Sequence, residues 1–244
     1  MTSESGEIAF VREQLAPHGE LRVAINYGNP VLAQRGKEGQ PVGVSALLAR
    51  SLAAELEVEL DFVTFDAAGE AFKAVDEAGW RLGFLARDPI RAEKVRFTEP
   101  YVIIEGTYLV RRDSPFHHIG ELDAEGVTIA VGQGAAYDLF LSRELCHATL
   151  KRAPTSAAAI KLFVEERLDA AAGVRQPLER YASEHADFRV LPGQFTTIEQ
   201  CMAIPKAYAA AADYVERFLA RMKREGEVKR GLLESGQSEA QEAP

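Results

Sequence analysis

From Leu21 onward, short apolar runs alternate with stretches whose apolar residues recur every three or four positions, which predicts strands and helices in turn. Ahead of that series, Ile8, Phe10, Val11 and Leu15 suit a short amphipathic helix, ended by Pro17-His18-Gly19 and packed outside the main sheet. Leu21 to Ile25 reads as a strand, followed by the turn-rich Asn26-Tyr27-Gly28-Asn29-Pro30. Val44, Leu47, Leu48, Leu52 and Leu56 lie at helical spacing, and Val58 to Phe62 alternates as a strand does. A helix over Ala68 to Ala78 and a buried strand over Leu82 to Ala86 complete the set. Strand, helix, strand, helix, strand is the rhythm of a parallel sheet with crossover helices.

Tyr101 to Val110 is rich in β-formers and long enough to run out of one lobe, and the charged Arg111 to Pro115 marks the boundary after it. A second strand and helix series follows. Val127 to Val131, Thr149 to Ala153 and Asp169 to Gly173 read as its strands, with Thr155 capping the helix that carries Ile160, Leu162, Phe163 and Leu168. Pro177 to His185 is a further helix and Phe188 to Leu191 a short strand. Phe195 to Ile204 reads as the return strand, and Tyr208 to Lys223, with Val215, Phe218, Leu219 and Met222 inward, as a long amphipathic helix. The expected organisation is an α/β chain of two lobes: an extension over 1–19, a first lobe over 20–110 plus 196–235, a second over 111–195, and a polar, disordered tail over 236–244.

Candidate chemistry concentrates at strand ends, where open α/β sheets hold ligands. Asp88-Pro89 should cap a short helix just after the Leu82 to Ala86 strand, placing Arg91 one turn in, where a guanidinium fork can meet a carboxylate. The alternative for Arg91 is pairing with Glu93, Glu99 or another surface acid. In Gly132-Gln133-Gly134-Ala135-Ala136-Tyr137-Asp138 the small residues leave backbone amides for an anion at a helix start, or simply make a tight turn. The third glycine of a dinucleotide fingerprint is missing. Tyr27 and Asn29 follow the first strand, and Gln200 sits on the return strand.

Composition narrows the partners. At 244 residues, 47% hydrophobic and 27% charged, the chain is ordinary globular protein, and a formal charge of −9 argues against nucleic acid or an anionic membrane surface. Cys146 and Cys201 follow no metal spacing and read as core or half-buried thiols; His117-His118 has no third ligand nearby. No metal or cofactor is expected. The N-terminus, Met1 to Glu7, is polar, with no leader-like apolar run after it, and no stretch approaches a membrane span. As written the chain reads as cytoplasmic, with the periplasm as the alternative if a leader was removed.

Arg91-Ala92-x-x-Val95-x-Phe97-Thr98-x-Pro100-Tyr101, with Gly39-x-Pro41-Val42-Gly43-Val44-Ser45 upstream and Ile129-Ala130-Val131-Gly132-x-Gly134 downstream, resembles the family 3 extracellular solute-binding proteins of amino-acid ABC transporters. The resemblance runs over about residues 20 to 235. It implies the type 2 periplasmic-binding-protein fold, two lobes that close on a small ligand, and an ABC permease as partner. It also implies ligand roles for Arg91, the Tyr27 and Asn29 loop, Gly134 and Ala135.

Departures matter as much as matches. Where such proteins usually read Gly-x-Thr-x-Thr-Pro-x-Arg, this chain has Phe84-Leu85-Ala86-Arg87-Asp88-Pro89-Ile90-Arg91, so Arg87 either takes over part of the missing donor set or simply faces water. Where relatives that bind α-amino acids place an aspartate for the ammonium, this chain has Val174 followed by Arg175. Arg91 and Arg175 together predict a ligand with negative charge at both ends, or one carboxylate plus a polar group, with Gln200 reading a polar group. The alternative is that Arg175 turns away and Glu105 or Glu199 meets an ammonium. Two further readings share the fold: a cyclohexadienyl-dehydratase-like lyase using Glu199 or Glu105 as acid, and a cytosolic ligand sensor.

Overall fold

A computed structural model describes residues 4–77, 79–238 and 241–244. Ala78, the expected end of one helix, lies outside the described residues. The chain divides into two compact units: Met1–Phe65, Glu70–Ile103 and Glu199–Pro244 in the first, Asp66–Gly69 and Ile104–Ile198 in the second.

The first unit opens with α1 (Glu4–Leu15), which buries Val11 and Leu15 and leaves Phe10 exposed. β1 (Glu20–Asn26) follows, then a small ladder of β2 (Gln34–Arg35) and β3 (Pro41–Val42), then α2 (Val44–Glu55) and β4 (Glu59–Phe65). After α3 (Ala68–Lys73), β5 (Leu82–Ala86) delivers the short α4 (Pro89–Ala92), and β6 (Val95–Arg111) leaves the unit. β1 runs parallel to β4 on one side and to β5 on the other, with Val23 opposite Phe62 and Leu82. All five residues of β5 are buried, as expected of a strand covered on both faces. Trp80 is fully buried beside that sheet, its Nε1 donating to Ala71 O at 2.8 Å, so the indole brings its own polar atom into the core already satisfied.

The second unit repeats the scheme with β7 (Thr128–Gly132), α5 (Ala136–Glu144), β8 (Thr149–Ala153), α6 (Ser156–Glu165), β9 (Ala170–Val174), α7 (Arg175–Glu184) and β10 (Phe188–Val190). β7 lies between β8 and β9, parallel to both, and β6 pairs antiparallel with β9 and β10. Thr155 caps α6, its Oγ1 accepting from Ala158 N at 3.1 Å. Phe163, Ala159 and Leu178 form the centre of the core here.

β11 (Thr196–Pro205) returns the chain and pairs antiparallel with β5; α8 (Ala212–Arg224) and α9 (Glu227–Glu234) finish the first unit. Helix α9 was not anticipated, and the expected helix from Tyr208 is a 3-10 turn over Lys206–Ala211 followed by α8. Besides a brief excursion over Asp66–Gly69, the passages between units fall at 103/104 and 198/199, not after 110 and before 196, because residues 106–111 of β6 are committed to β9 and β10. The tail also departs from expectation: Gln241 and Ala243 are buried, and Val102 forms a β-bridge with Glu242. Backbone pairing with β6 and the ammonium groups of Lys223 and Lys229 order a polar segment that composition alone marks as disordered.

Candidate functional site

In the first unit the candidates gather at the C-terminal ends of β1 and β5, which are adjacent and parallel. Asp88 Oδ1 accepts from Ile90 N at 2.9 Å and Pro89 takes the first helical position, so α4 starts where the sequence placed it. That start carries Arg91 inward: the residue is 1% exposed, and its Nη1 donates to Ala86 O at 3.1 Å. Burial pulls its pKa down to about 10, opposed by the Asp88 carboxylate. A guanidinium does not deprotonate at working pH, so Arg91 keeps its charge in a desolvated place.

Tyr27 donates its amide to Phe65 O at 2.8 Å and carries the Arg35 guanidinium 4.1 Å over its ring, a partner nothing in the sequence pattern announced. Asn29 is buried and shapes its own loop, with Oδ1 accepting from Val31 N at 3.3 Å. Gln200 is 5% exposed and stands opposite Ala86 in the β5–β11 ladder, which places it one strand from the carbonyl that holds Arg91. Arg87 has a different task from the replacement donor expected of it. It donates to Thr98 O at 2.8 Å and pairs with Glu199 at 3.3 Å and Glu99 at 3.5 Å.

In the second unit the candidates lie at the ends of β7 and β9, again adjacent and parallel. Gly134 takes φ +71, a left-handed conformation that explains the glycine. The expectation of uncommitted amides needs correction: Gly134 N donates to Asp138 Oδ2 at 2.8 Å and Ala135 N to Gly132 O at 3.1 Å. Asp138, three residues into the helix, reaches back over its start as a capping acid does, and Arg152 Nε holds it at 3.0 Å.

Arg175 needs the larger correction, because it is not an uncommitted cation. The antiparallel register pairs Gly106 with Val174 and so sets Glu105 against Arg175, whose Nε donates to that carboxylate. Its Nη2 donates to Gly193 O at 2.5 Å, and Glu179, one helical turn on, lies 3.5 Å from Nη1. Two carboxylates on one guanidinium leave an excess of negative charge, the opposite of what the isolated sequence position suggests. Beside it, Gln176 Oε1 is buried without a hydrogen-bond partner among the described residues. The i, i+4 spacing of Glu179 was legible in advance; the Glu105 contact required the register.

Cys146 is exposed, contrary to expectation, and Cys201 is buried. Glu121 takes the amides of His117 and His118 at 2.6 and 2.9 Å, making that pair part of a helix cap. Among the described residues no group of histidine, cysteine and acidic side chains is placed to hold a metal ion, and no helix is long and apolar enough to cross a membrane.

Comparison with known proteins places this geometry. No curated protein sequence matches the chain significantly. Among solved structures it is similar to the solute receptor for L-cysteine of Neisseria gonorrhoeae (21% identity, TM-score 0.80, covering 93% of this chain and 92% of that one). It is also similar to an amino acid ABC transporter substrate-binding protein of Streptococcus pneumoniae bound to L-arginine (18% identity, TM-score 0.78, 91% and 97% covered). A third is an ancestral amino acid-binding protein, a precursor of cyclohexadienyl dehydratase (26% identity, TM-score 0.75, 91% and 97% covered). The fold is therefore the type 2 periplasmic-binding-protein fold. The model of the bacterial extracellular solute-binding proteins, family 3, matches residues 21–233, and this chain belongs to that family.

Proposed function

We propose that this protein binds a small carboxylate-bearing solute of amino-acid type and serves an ABC-type permease. The observation that carries the reading is Arg91, a fully buried guanidinium at the strand-end edge of the first unit. A buried cation is costly unless negative charge meets it, and a ligand carboxylate adds charge-assisted hydrogen bonds there. Tyr27, Asn29 and Gln200 are its companions in that unit.

The second unit favours a donor-bearing group. Glu105 and Glu179 outnumber the charge of Arg175, and the buried Gln176 Oε1 has no hydrogen-bond donor among the described residues. The dianion that Arg175 suggested thus loses its support, and an amino-acid-like ligand gains it. Similar proteins whose titles name L-cysteine and L-arginine lend weight to that class. The family's description as extracellular favours a compartment outside the cytoplasm over the cytoplasmic reading.

A lyase activity finds less support. A general acid needs a carboxyl within reach of substrate, and both candidates, Glu199 and Glu105, are engaged by arginines.

A thermal-shift screen over amino acids, dicarboxylates and 2-oxo acids tests the reading, since a ligand at about a hundred times its Kd stabilises the folded protein by about 2.7 kcal/mol. Shifts with amino acids and none with the corresponding decarboxylated amines are expected. Shifts confined to dicarboxylates would overturn the amino-acid assignment.

A further inference from the structure

The family match ends at residue 233, yet the chain goes on, and its last described residues are built into the first unit. Glu242 bridges antiparallel to Val102 of β6, and Ala243 N donates to Tyr101 O at 3.1 Å. Lys223 of α8 donates to Pro244 O at 2.6 Å and to Pro100 O at 3.2 Å, so one ammonium ties the tail to the strand beside it. Lys229 of α9 pairs with the largely buried Glu242 at 3.4 Å. Three elements thus hold Glu242, Ala243 and Pro244.

The position of this attachment gives it meaning. Pro244 lines a cleft of about 470 Å³ together with Ile103, Glu199, Leu219 and Lys223. Ile103 and Glu199 are the first unit's residues at two of the four passages of the chain between units, those at 103/104 and 198/199. One end of the tail therefore borders both passages. We propose that residues 241–244 are a regulatory strap: docked on β6, they brace the two passages, and their release loosens those segments without unfolding either unit. The proposal does not depend on the ligand assigned above.

Hydrogen–deuterium exchange on the ligand-free protein tests it. Three forms suffice: the full chain, a chain ending at Gln237, and Ala243→Pro, which removes only the amide donated to Tyr101 O. Losing backbone pairing of this kind should speed exchange by about fivefold to tenfold over residues 101–104 and 199–201 in both variants. Exchange in β1 and β7 should stay within about twofold, since the strap's hydrogen bonds and ion pair run to β6, α8 and α9. Uniform acceleration across all strands would reduce the tail to a general stabiliser and overturn the proposal. Unchanged exchange at 101–104 would overturn it too. Tryptophan fluorescence from the buried Trp80 confirms that each variant is folded.

Discussion

The two units each present an arginine just beyond the end of a parallel strand, and the pair teaches how little a residue's type says about its charge state toward a ligand. Arg91 is sealed at 1% exposure with one backbone carbonyl and the Asp88 charge beside it. Arg175 is 20% exposed and wrapped by two carboxylates and a carbonyl. The first concentrates positive potential in a desolvated place; the second is overbalanced by its own neighbours. Full burial beside one acid is what recommends Arg91 as a binding group, whereas the two flanking carboxylates of Arg175 recommend a structural role.

The sharpest way to break this contrast is at Arg91. Arg91→Ala should abolish ligand-induced stabilisation and also cost about 3 kcal/mol or more of stability, because it leaves the buried Asp88 without its charged neighbour. Arg91→Met should restore much of that stability while binding stays lost, since an apolar side chain of similar volume often replaces a buried ion without penalty. Chemical denaturation and calorimetric titration on the two variants separate the effects.

Asp88→Ala comes next in size. Removing the N-cap of α4 should cost about 1 kcal/mol, a fall in melting temperature of about 2–4 °C for a chain of this length, and stripping the Asp88 charge from beside the buried Arg91 adds to that loss. Because the cap also aims Arg91, affinity should fall with it.

Glu105→Gln should be nearly silent in stability, under about 1 kcal/mol, because the carboxylate is 44% exposed. Its effect should appear in preference: with one negative charge gone, cationic amino acids should lose more affinity than neutral or acidic ones, measured in parallel titrations. Equal losses would place the donor-reading surface elsewhere.

The smallest effect concerns Cys201, whose thiol burial pushes up to about 12 from an ordinary value near 9. The folded protein keeps that proton while the unfolded chain gives it up, so stability should decline as pH rises from about 9 toward 12. Native thiol titration should find Cys146 reactive at once and Cys201 only on unfolding.

Much of this was legible beforehand, and for identifiable reasons. Local rules governed the Asp88-Pro89 cap, the Thr155 cap and the all-apolar β5, and these stand where periodicity put them. The candidate site divided along the same line. Arg91 one turn after a strand end depends only on neighbours in sequence. The partners of Arg175 depend on the register of β6 against β9, which pairs Gly106 with Val174 and brings Glu105 to Arg175, 70 positions on, and no periodicity encodes that pairing. The docked tail was missed for a similar reason, since its order comes from Lys223, Lys229 and the backbone of β6 at Tyr101 and Val102 and not from its own composition.

The most direct test is a calorimetric titration of the protein and of Arg91→Met with the amino acid that gives the largest thermal shift, beside its decarboxylated amine. Binding of the amino acid to the unaltered protein alone, with none of the amine to either form, is the predicted result. Equal binding of the amino acid by Arg91→Met, or binding of the amine as tightly as the amino acid, would contradict a carboxylate site built on Arg91.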